Sequence, residues 1–287
     1  MRCRIRHVDA FTSTPLEGNP AAVVDGEGLS GEVMQRIALN QKLSETVFLL
    51  PPDAPDNDAK LRIFTPATEL PFAGHPTIAA AHILSTEAIV SHGGRPLRLE
   101  TGAGVIPVEV DASIPMYTMT QATPVFRDVD VPLDELARSV GLAPGDIVRA
   151  EQVSTGIFWP VAQVTSLEAM MRVQPDMTAL SKHFLAVFCI GADAPDAQVH
   201  VRCFAPGGGV PEDPVTGSAN GCIAAFIAKH GLLPPRDGAI GYVAEQGSEM
   251  RQPGRVRVSV SGPTDSLVVR VGGSAVTVLT GELLLPG

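Results

Sequence analysis

Three side chains in this sequence have a type and a setting that chemistry could use. Glu45 opens the run Glu45 to Leu50, where it shares a strand face with Val47 and Leu49. A carboxylate on an apolar face is costly unless it is paired or protonated, and burial raises its pKa toward the range useful for moving a proton. A strand-end glutamate that reaches solvent is the competing reading. Asp213 stands in Pro211-Glu-Asp-Pro-Val-Thr-Gly217, one loop ahead of an apolar segment, although Asp before Pro is also ordinary turn chemistry. His75 follows Gly74 at the start of a second apolar segment. There a helix dipole would oppose positive charge, so a neutral imidazole that donates to a substrate oxygen or relays a proton stands against a merely packed histidine.

Two glycine-led helix starts, Gly74-His75-Pro76 and Gly217-Ser218-Ala219, add free backbone N–H groups at positive dipole ends, a setting suited to carboxylate. Ser218 is expected as the N-cap of the second helix, and Pro76 suits the first turn of the first. Capping alone is the plainer account of such residues. Gly207-Gly208-Gly209 has no following Lys-Ser/Thr, and Gly102-x-Gly104 lacks a third glycine, so both read as turns rather than phosphate loops. The histidines are dispersed, and Cys3, Cys189, Cys203 and Cys222 form no CxxC pair, so no metal site is expected and the thiols read as reduced packing residues.

The elements that would hold these residues are legible from pattern. Thr77 to Leu84 and Ala219 to Ala228 are helical segments that are small and apolar all the way round, and a helix without a polar face must be surrounded. Their upstream sequences match: Arg62-Ile-Phe-Thr-Pro66 parallels Arg202-Cys-Phe-Ala-Pro206 at an offset of 140, and Gly74 parallels Gly217 at 143. Each half therefore reads as strand, Pro/Gly loop and central helix wrapped by further strands. Period-2 alternation at Gln198 to Phe204 and Arg255 to Ser261 predicts half-buried strands. Ser30 can cap a surface helix whose Val33, Met34, Ile37 and Ala38 share one face, and Pro132 to Val140 reads as another, stopped by Gly141. The patternless stretch between about Ser113 and Val131 suggests the crossing between two domains, 1–115 and 116–273.

Composition narrows the function class. Apolar residues are 45% and charged residues 18% of 287, with a mean hydropathy of +0.18, enough to bury a large core. Against 21 Lys and Arg stand 31 Asp and Glu, a net charge of −10 with no basic run, which argues against nucleic acid or an anionic membrane surface and for a small-molecule ligand. No apolar stretch approaches the roughly 20 residues a bilayer needs, and no secretion signal follows the N-terminal arginines, so a cytoplasmic location is expected.

Four segments in order, His7-Val-Asp-Ala-Phe-Thr-Ser-Thr-Pro-Leu-Glu-Gly-Asn-Pro20, Leu43-Ser-Glu-Thr-Val-Phe48, Glu69-Leu-Pro-Phe-Ala-Gly-His-Pro76 and Pro211-Glu-Asp-Pro-Val-Thr-Gly-Ser-Ala219, resemble the PhzF family of phenazine-biosynthesis-like proteins. The similarity runs from the first strand to about Gln246-Gly247, and Ser154-Thr-Gly156 also looks familial. The resemblance implies an α+β, diaminopimelate epimerase-like fold, two pseudo-symmetric domains each a curled β-sheet around a central α-helix, with the active site between them and residues 274–287 returning to the first domain. It implies a cofactor-independent isomerase that moves a proton within a small carboxylated substrate, and a homodimer. By motif, Glu45 matches the proton-shuttling glutamate and His75, Asp213 and Ser218 its supporting residues, while Ser44, Gly74, Gly217 and Ala219 are expected to contact substrate. The related racemases place two cysteines at these loops; this chain has none there, which disfavours a thiol two-base mechanism. A two-base epimerase using Glu45 and Asp213, and a small-acid-binding protein without chemistry, are the rival expectations.

Overall fold

The computed structural model describes residues 1–91, 93–111, 113–181 and 183–285. The chain divides into two compact units, Met1–Thr120 with the chain end from Gly272, and Gln121–Val271. Residues 286 and 287 of the segment expected to return to the first domain lie outside the described residues.

The first unit runs β1 (Arg2–Ala10), β2 (Asn19–Asp25), α1 (Gly31–Gln41), β3 (Glu45–Leu50), β4 (Ala59–Phe64), β5 (Glu69–Leu70), α2 (Gly74–Thr86), β6 (Leu97–Thr101), β7 (Gly104–Asp111) and β8 (Met116–Thr120). The second runs β9 (Val125–Arg127), α3 (Leu133–Ser139), β10 (Ile147–Ser154), β11 (Phe158–Val164), α4 (Leu167–Met170), β12 (Leu185–Ile190), β13 (Val199–Ala205), β14 (Val210–Asp213), α5 (Gly217–His230), β15 (Ala239–Gln246) and β16 (Gly254–Ser261). The last strand, β17 (Val268–Leu284), contributes its residues from Gly272 onward to the first unit, where they pair antiparallel with β1.

The same series of pairings occurs in both units. In the first, β1–β2 is antiparallel, β2–β3 parallel, β3–β4 antiparallel, β4–β6 parallel and β6–β7 antiparallel. In the second, β10–β11, β11–β12, β12–β13, β13–β15 and β15–β16 repeat that alternation in the same order. In the first unit the ring closes through β7–β8, β8–β17 and β17–β1. Inside it lies α2, with every residue from His75 to Leu84 buried and contacts to β1, β2, β3, β4, β7 and β8. Burying Ile78, Ile83 and Leu84 stabilises this arrangement by roughly 1.5–3 kcal/mol each. The small Ala79, Ala80 and Ala81 favour helix and let the strands approach. Helix α5 holds the corresponding place among β10, β11, β12 and β16.

The sequence repeat extends to pairs of side chains. Arg62 donates from Nε and Nη2 to the two carboxylate oxygens of Glu69, both at 2.7 Å, and Arg202 makes the same fork with Glu212 at 2.8 and 3.0 Å. Glu100 on β6 accepts the backbone N–H groups of Asp53 and Ala54, and Glu245 on β15 accepts those of Asp193 and Ala194. The sequence carries this second device openly, as Asp53-Ala-Pro-Asp56 and Asp193-Ala-Pro-Asp196 at the same offset of 140.

Local expectations fare unevenly. Ser30 caps α1 by accepting the Val33 N–H, with Met34, Ile37 and Ala38 buried, and Gly141 takes a left-handed φ of 71° just beyond α3. Strand β16 alternates buried and open positions as predicted, but β13 is buried on both faces except at its last residue. Its polar face is occupied by His200 and Arg202, whose ion-pair partners satisfy them away from water. Ser218 is not the N-cap of α5. The helix starts at Gly217 behind Thr216, whose hydroxyl is donated to Asp213, so Ser218 falls in the first turn.

Candidate functional site

In the first unit the parallel pair β2–β3 sets Ala21 opposite Glu45, and the antiparallel pair β3–β4 sets Thr46 opposite Phe64. The β1–β2 turn, the start of β3 and the end of β4 therefore share one end of the sheet. Backbone strain gathers in that turn: Phe11 and Leu16 have φ of 64° and 71°, and Asp9 holds the loop by accepting the Leu16 N–H at 2.7 Å.

Glu45 is the first residue of β3, and its side chain retains only 15% exposure. Its Oε2 is buried and makes no hydrogen bond, yet His75 Nε2 lies 3.3 Å away. Ser44 Oγ is 3.5 Å from the same imidazole nitrogen. Burial pushes the Glu45 carboxyl above its ordinary value, with the Ser44 hydroxyl acting against the rise. Gly74 and His75 open α2, which has no side-chain cap; Thr77 turns its hydroxyl back onto the Ala73 carbonyl at 2.7 Å. The N–H groups of Gly74 and His75 thus lack intrahelical partners. Four expected residues, Ser44, Glu45, Gly74 and His75, meet here in one group that can accept and pass on a proton.

In the second unit Asp213 ends β14 and is half-buried. Its Oδ2 accepts the Thr216 hydroxyl at 2.6 Å, and its carbonyl accepts Gln246 Nε2 at 2.8 Å. Gln246 also accepts the N–H of Thr216 and the amide of Asn220, fixing the loop to the first turn of α5. Gly217, Ser218 and Ala219 occupy that turn, and Ser218 Oγ accepts the indole N–H of Trp159 at 3.2 Å. Trp159 packs on Phe184 with ring centroids 5.2 Å apart. Asp213, Gly217, Ser218 and Ala219 thus form a polar, helix-terminal group. Sequence reasoning gave Gln246 no role and Trp159 only a place at the end of Gln152 to Trp159, a segment that departs from the family pattern and is expected to line the pocket; a sharper signal was that Trp159 is the chain's single tryptophan and lies just past Ser154-Thr-Gly156.

Register shows how the two groups differ. Phe64 and Phe204 are repeat partners; Thr46 lies opposite the first and Leu185 opposite the second, so Glu45 corresponds to Phe184. Ala21, beside Glu45, corresponds to Trp159, two residues before the Val161–Ala186 pair of β11 and β12. His75 corresponds to Ser218 through the offset of 143. Where one copy carries a carboxylate beside an imidazole, the other carries stacked aromatics beside a hydroxyl.

Among the described residues no three His, Cys, Asp or Glu side chains cluster as metal ligands, and no helix is long and apolar enough to cross a membrane. All four cysteines are free and buried. Burial raises the thiols of Cys189 and Cys222 to about 12 and about 11, and that of Cys203 well above the ordinary value, far from the thiolate form a catalytic cysteine needs.

The chain is similar to known proteins along nearly its whole length. The PhzC-PhzF family, phenazine biosynthesis-like proteins, matches residues 8–281. A trans-2,3-dihydro-3-hydroxyanthranilate isomerase of Pseudomonas aeruginosa is 36% identical, covering 97% of this chain and 98% of its own. An uncharacterized isomerase of Clostridium acetobutylicum is 33% identical with 97% of each covered. The crystal structure of a Bacillus anthracis phenazine biosynthesis protein of the PhzF family superposes with a TM-score of 0.88 at 30% identity, covering 99% of this chain and 100% of that one. A hydroxyproline epimerase of Agrobacterium vitis, 15% identical, shares the fold at a TM-score of 0.65 over 98% of this chain and 92% of its own. A strand-rich scaffold with buried central helices, no activated thiol and whole-length similarity of this kind lead to one assignment: the chain belongs to the PhzC-PhzF family of phenazine biosynthesis-like proteins, and it is an isomerase.

Proposed function

We propose that this isomerase needs no cofactor and moves a proton within a small carboxylated substrate, with Glu45 as the shuttle. The carboxylate of Glu45 takes a proton from a substrate carbon and becomes the acid, the electron pair left on that carbon moves through the adjacent double bond, and the same carboxyl returns the proton to another carbon of the same face. The observation that carries this reading is the buried Glu45 Oε2, free of hydrogen bonds and 3.3 Å from His75 Nε2, on a carboxyl whose proton affinity is raised by burial. Such a group holds a proton more readily than a solvated glutamate and has an unoccupied oxygen with which to take one. His75 and Asp213 orient the polar group of the substrate, Ser44 assists at Glu45, and the N–H groups of the α2 and α5 starts, with Ser218 and Ala219, hold carboxylate.

The correspondence of Glu45 with Phe184 speaks against a symmetry-related pair of bases: at this position the repeat supplies a carboxylate in one copy and an aromatic ring in the other. A single shuttle suits a same-face shift, whereas epimerisation needs acid and base on opposite faces. The alternation of pairings around a buried helix in each unit supports the diaminopimelate epimerase-like fold, and four buried free thiols suit a reducing, cytoplasmic setting. The named substrate of the Pseudomonas relatives makes a cyclic, hydroxylated amino acid the first substrate class to try.

Proton NMR in deuterated water, on trans-2,3-dihydro-3-hydroxyanthranilate and a panel of cyclic and amino-acid carboxylates, tests the reading. Deuterium entering one carbon together with a shifted double bond is the expected result. Loss of optical rotation without a shifted double bond would assign a two-base epimerase using Glu45 and Asp213. Saturable binding with no exchange would make the protein a binder.

A further inference from the structure

The indole of Trp159 is 5% exposed and spends its only hydrogen-bonding group on Ser218 Oγ. An indole N–H can only donate, so the direction of this bond is fixed: it fills one lone pair of the hydroxyl. Among the described residues no acceptor takes the Ser218 proton. A serine in a first helical turn often turns its proton to a nearby carbonyl. Here the Trp159 N–H approaches the oxygen and leaves the O–H as the free function of the group.

We propose that Trp159 is the positioning residue of Ser218: it holds the hydroxyl so that its proton points to an oxygen of the bound carboxylate, making Ser218 a hydrogen-bond donor to substrate. This rests on the reading of Ser218 as a substrate-binding residue and adds what sets its polarity. The internal repeat supports it. In the first unit the side chain at the matching helix position, His75, is approached by Glu45 from β3; in the second the β3 counterpart is Phe184, and the approach comes instead from Trp159 on β11. Phe184, stacked on the indole, keeps the ring in place. Both copies thus address the second residue of the central helix from the sheet, one with a group that exchanges protons and the other with a group that cannot.

The protein has one tryptophan, so a nitrogen-15 labelled sample gives a single indole N–H cross-peak. Ser218→Ala should move that peak, and titrating the wild type with 3-hydroxyanthranilate, a stable aromatic carboxylate, should move it as well. Trp159→Phe keeps an aromatic ring against Phe184 and removes the N–H donor with part of the bicycle, a volume loss that the same substitution on Ser218→Ala controls for. It should weaken binding of 3-hydroxyanthranilate about 3–10-fold, the worth of one neutral hydrogen bond, and leave the rate at saturating substrate within about threefold. Trp159→Phe added to Ser218→Ala should cost clearly less than it costs in the wild type, whereas Ser218→Thr, which keeps a hydroxyl, should stay as sensitive to the loss of the indole as the wild type. Additive effects, an indole peak unmoved by Ser218→Ala, or a wild type that does not bind the carboxylate would each overturn the proposal. The peak and the binding cycle are independent of Glu45, so a failed proton shuttle with an intact cycle would separate the two readings.

Discussion

Replacing Glu45 by Gln separates the chemistry of the site from its architecture. The substitution preserves length and one oxygen, and the β-pairing of residue 45 with Ala21 is made by backbone, so the fold is expected to survive. It removes the group proposed to accept the proton. A positioned general base is worth about 10²–10⁴ in rate, or roughly 3–5 kcal/mol of barrier, and that is the expected fall in turnover and in deuterium incorporation. Affinity for the carboxylate should change less than about threefold, because the proposed site holds it with the helix starts and Ser218. Stability supplies an independent readout. The folded carboxyl binds its proton more tightly than the ordinary value of 4.5, so the native state carries more protons than the unfolded chain as pH rises from that value through the raised one. Over that window the wild type loses stability, and above it the charge sits buried at its full cost. The Gln variant does not titrate. It should match the wild type near pH 4 and exceed it by on the order of 1 kcal/mol at pH 8, as read by urea unfolding at both pH values. Turnover within about threefold of wild type would refute the shuttle and move the proton to His75 or Asp213, and a variant less stable at pH 8 would mean that the carboxylate serves the fold.

Three further outcomes are expected. Cys203→Ala and Cys222→Ala should each keep exchange within about threefold, with a stability cost on the order of 1 kcal/mol for the lost packing; a folded variant without activity would reinstate a thiol mechanism. The imidazole of His200 lies 2.6 Å from Glu245 and 2.9 Å from Glu249, with Arg202 at 3.9 Å from the latter, and these partners outweigh burial and raise its pKa above 6.5. That stabilisation is complete below about pH 6.5 and is lost as pH rises through the raised value, so Glu249→Gln should cost about 1–3 kcal/mol near pH 6 and flatten the alkaline decline in chemical unfolding. A Cβ at Gly221 would meet Gln121 Oε1 at 1.7 Å, and that side chain is held by Thr155 and the Gly217 carbonyl; Gly221→Ala should therefore lose about 1 kcal/mol where helix propensity alone would add a similar amount, a sign that thermal melting reads directly.

The two central helices were legible because Thr77 to Leu84 and Ala219 to Ala228 contain no Asp, Glu, Lys or Arg and no continuous polar face, a composition that forces a helix inside. Glu45 was legible for the complementary reason, as a charge among residues that exclude it. Ser218 as N-cap was not, since the helix start is set two residues earlier, where Asp213 and Gln246 from other elements fix Thr216 ahead of Gly217. The burial of His200 and Arg202 escaped pattern reading because alternation records only side-chain polarity, while their partners lie 45 and 10 residues away. The bond from Trp159 escaped for a similar reason: the segment ending at Trp159 was expected to line the pocket, but its partner, Ser218, is 59 residues distant.

Duplication inside one chain offers a control that a single domain lacks. Devices present in both copies, the Arg62–Glu69 and Arg202–Glu212 forks and the Glu100 and Glu245 loop anchors, are what the scaffold requires wherever it is built. If Glu45 were such a requirement, its counterpart would also be a carboxylate held near the start of a central helix. It is Phe184, and Ala21 beside Glu45 has become Trp159. The scaffold is thus indifferent to charge at this position, and a buried carboxyl oxygen without a hydrogen bond is a cost that one copy avoids and the other keeps. A cost the fold can avoid, and that only one copy bears, is what the proposed proton shuttle at Glu45 calls for.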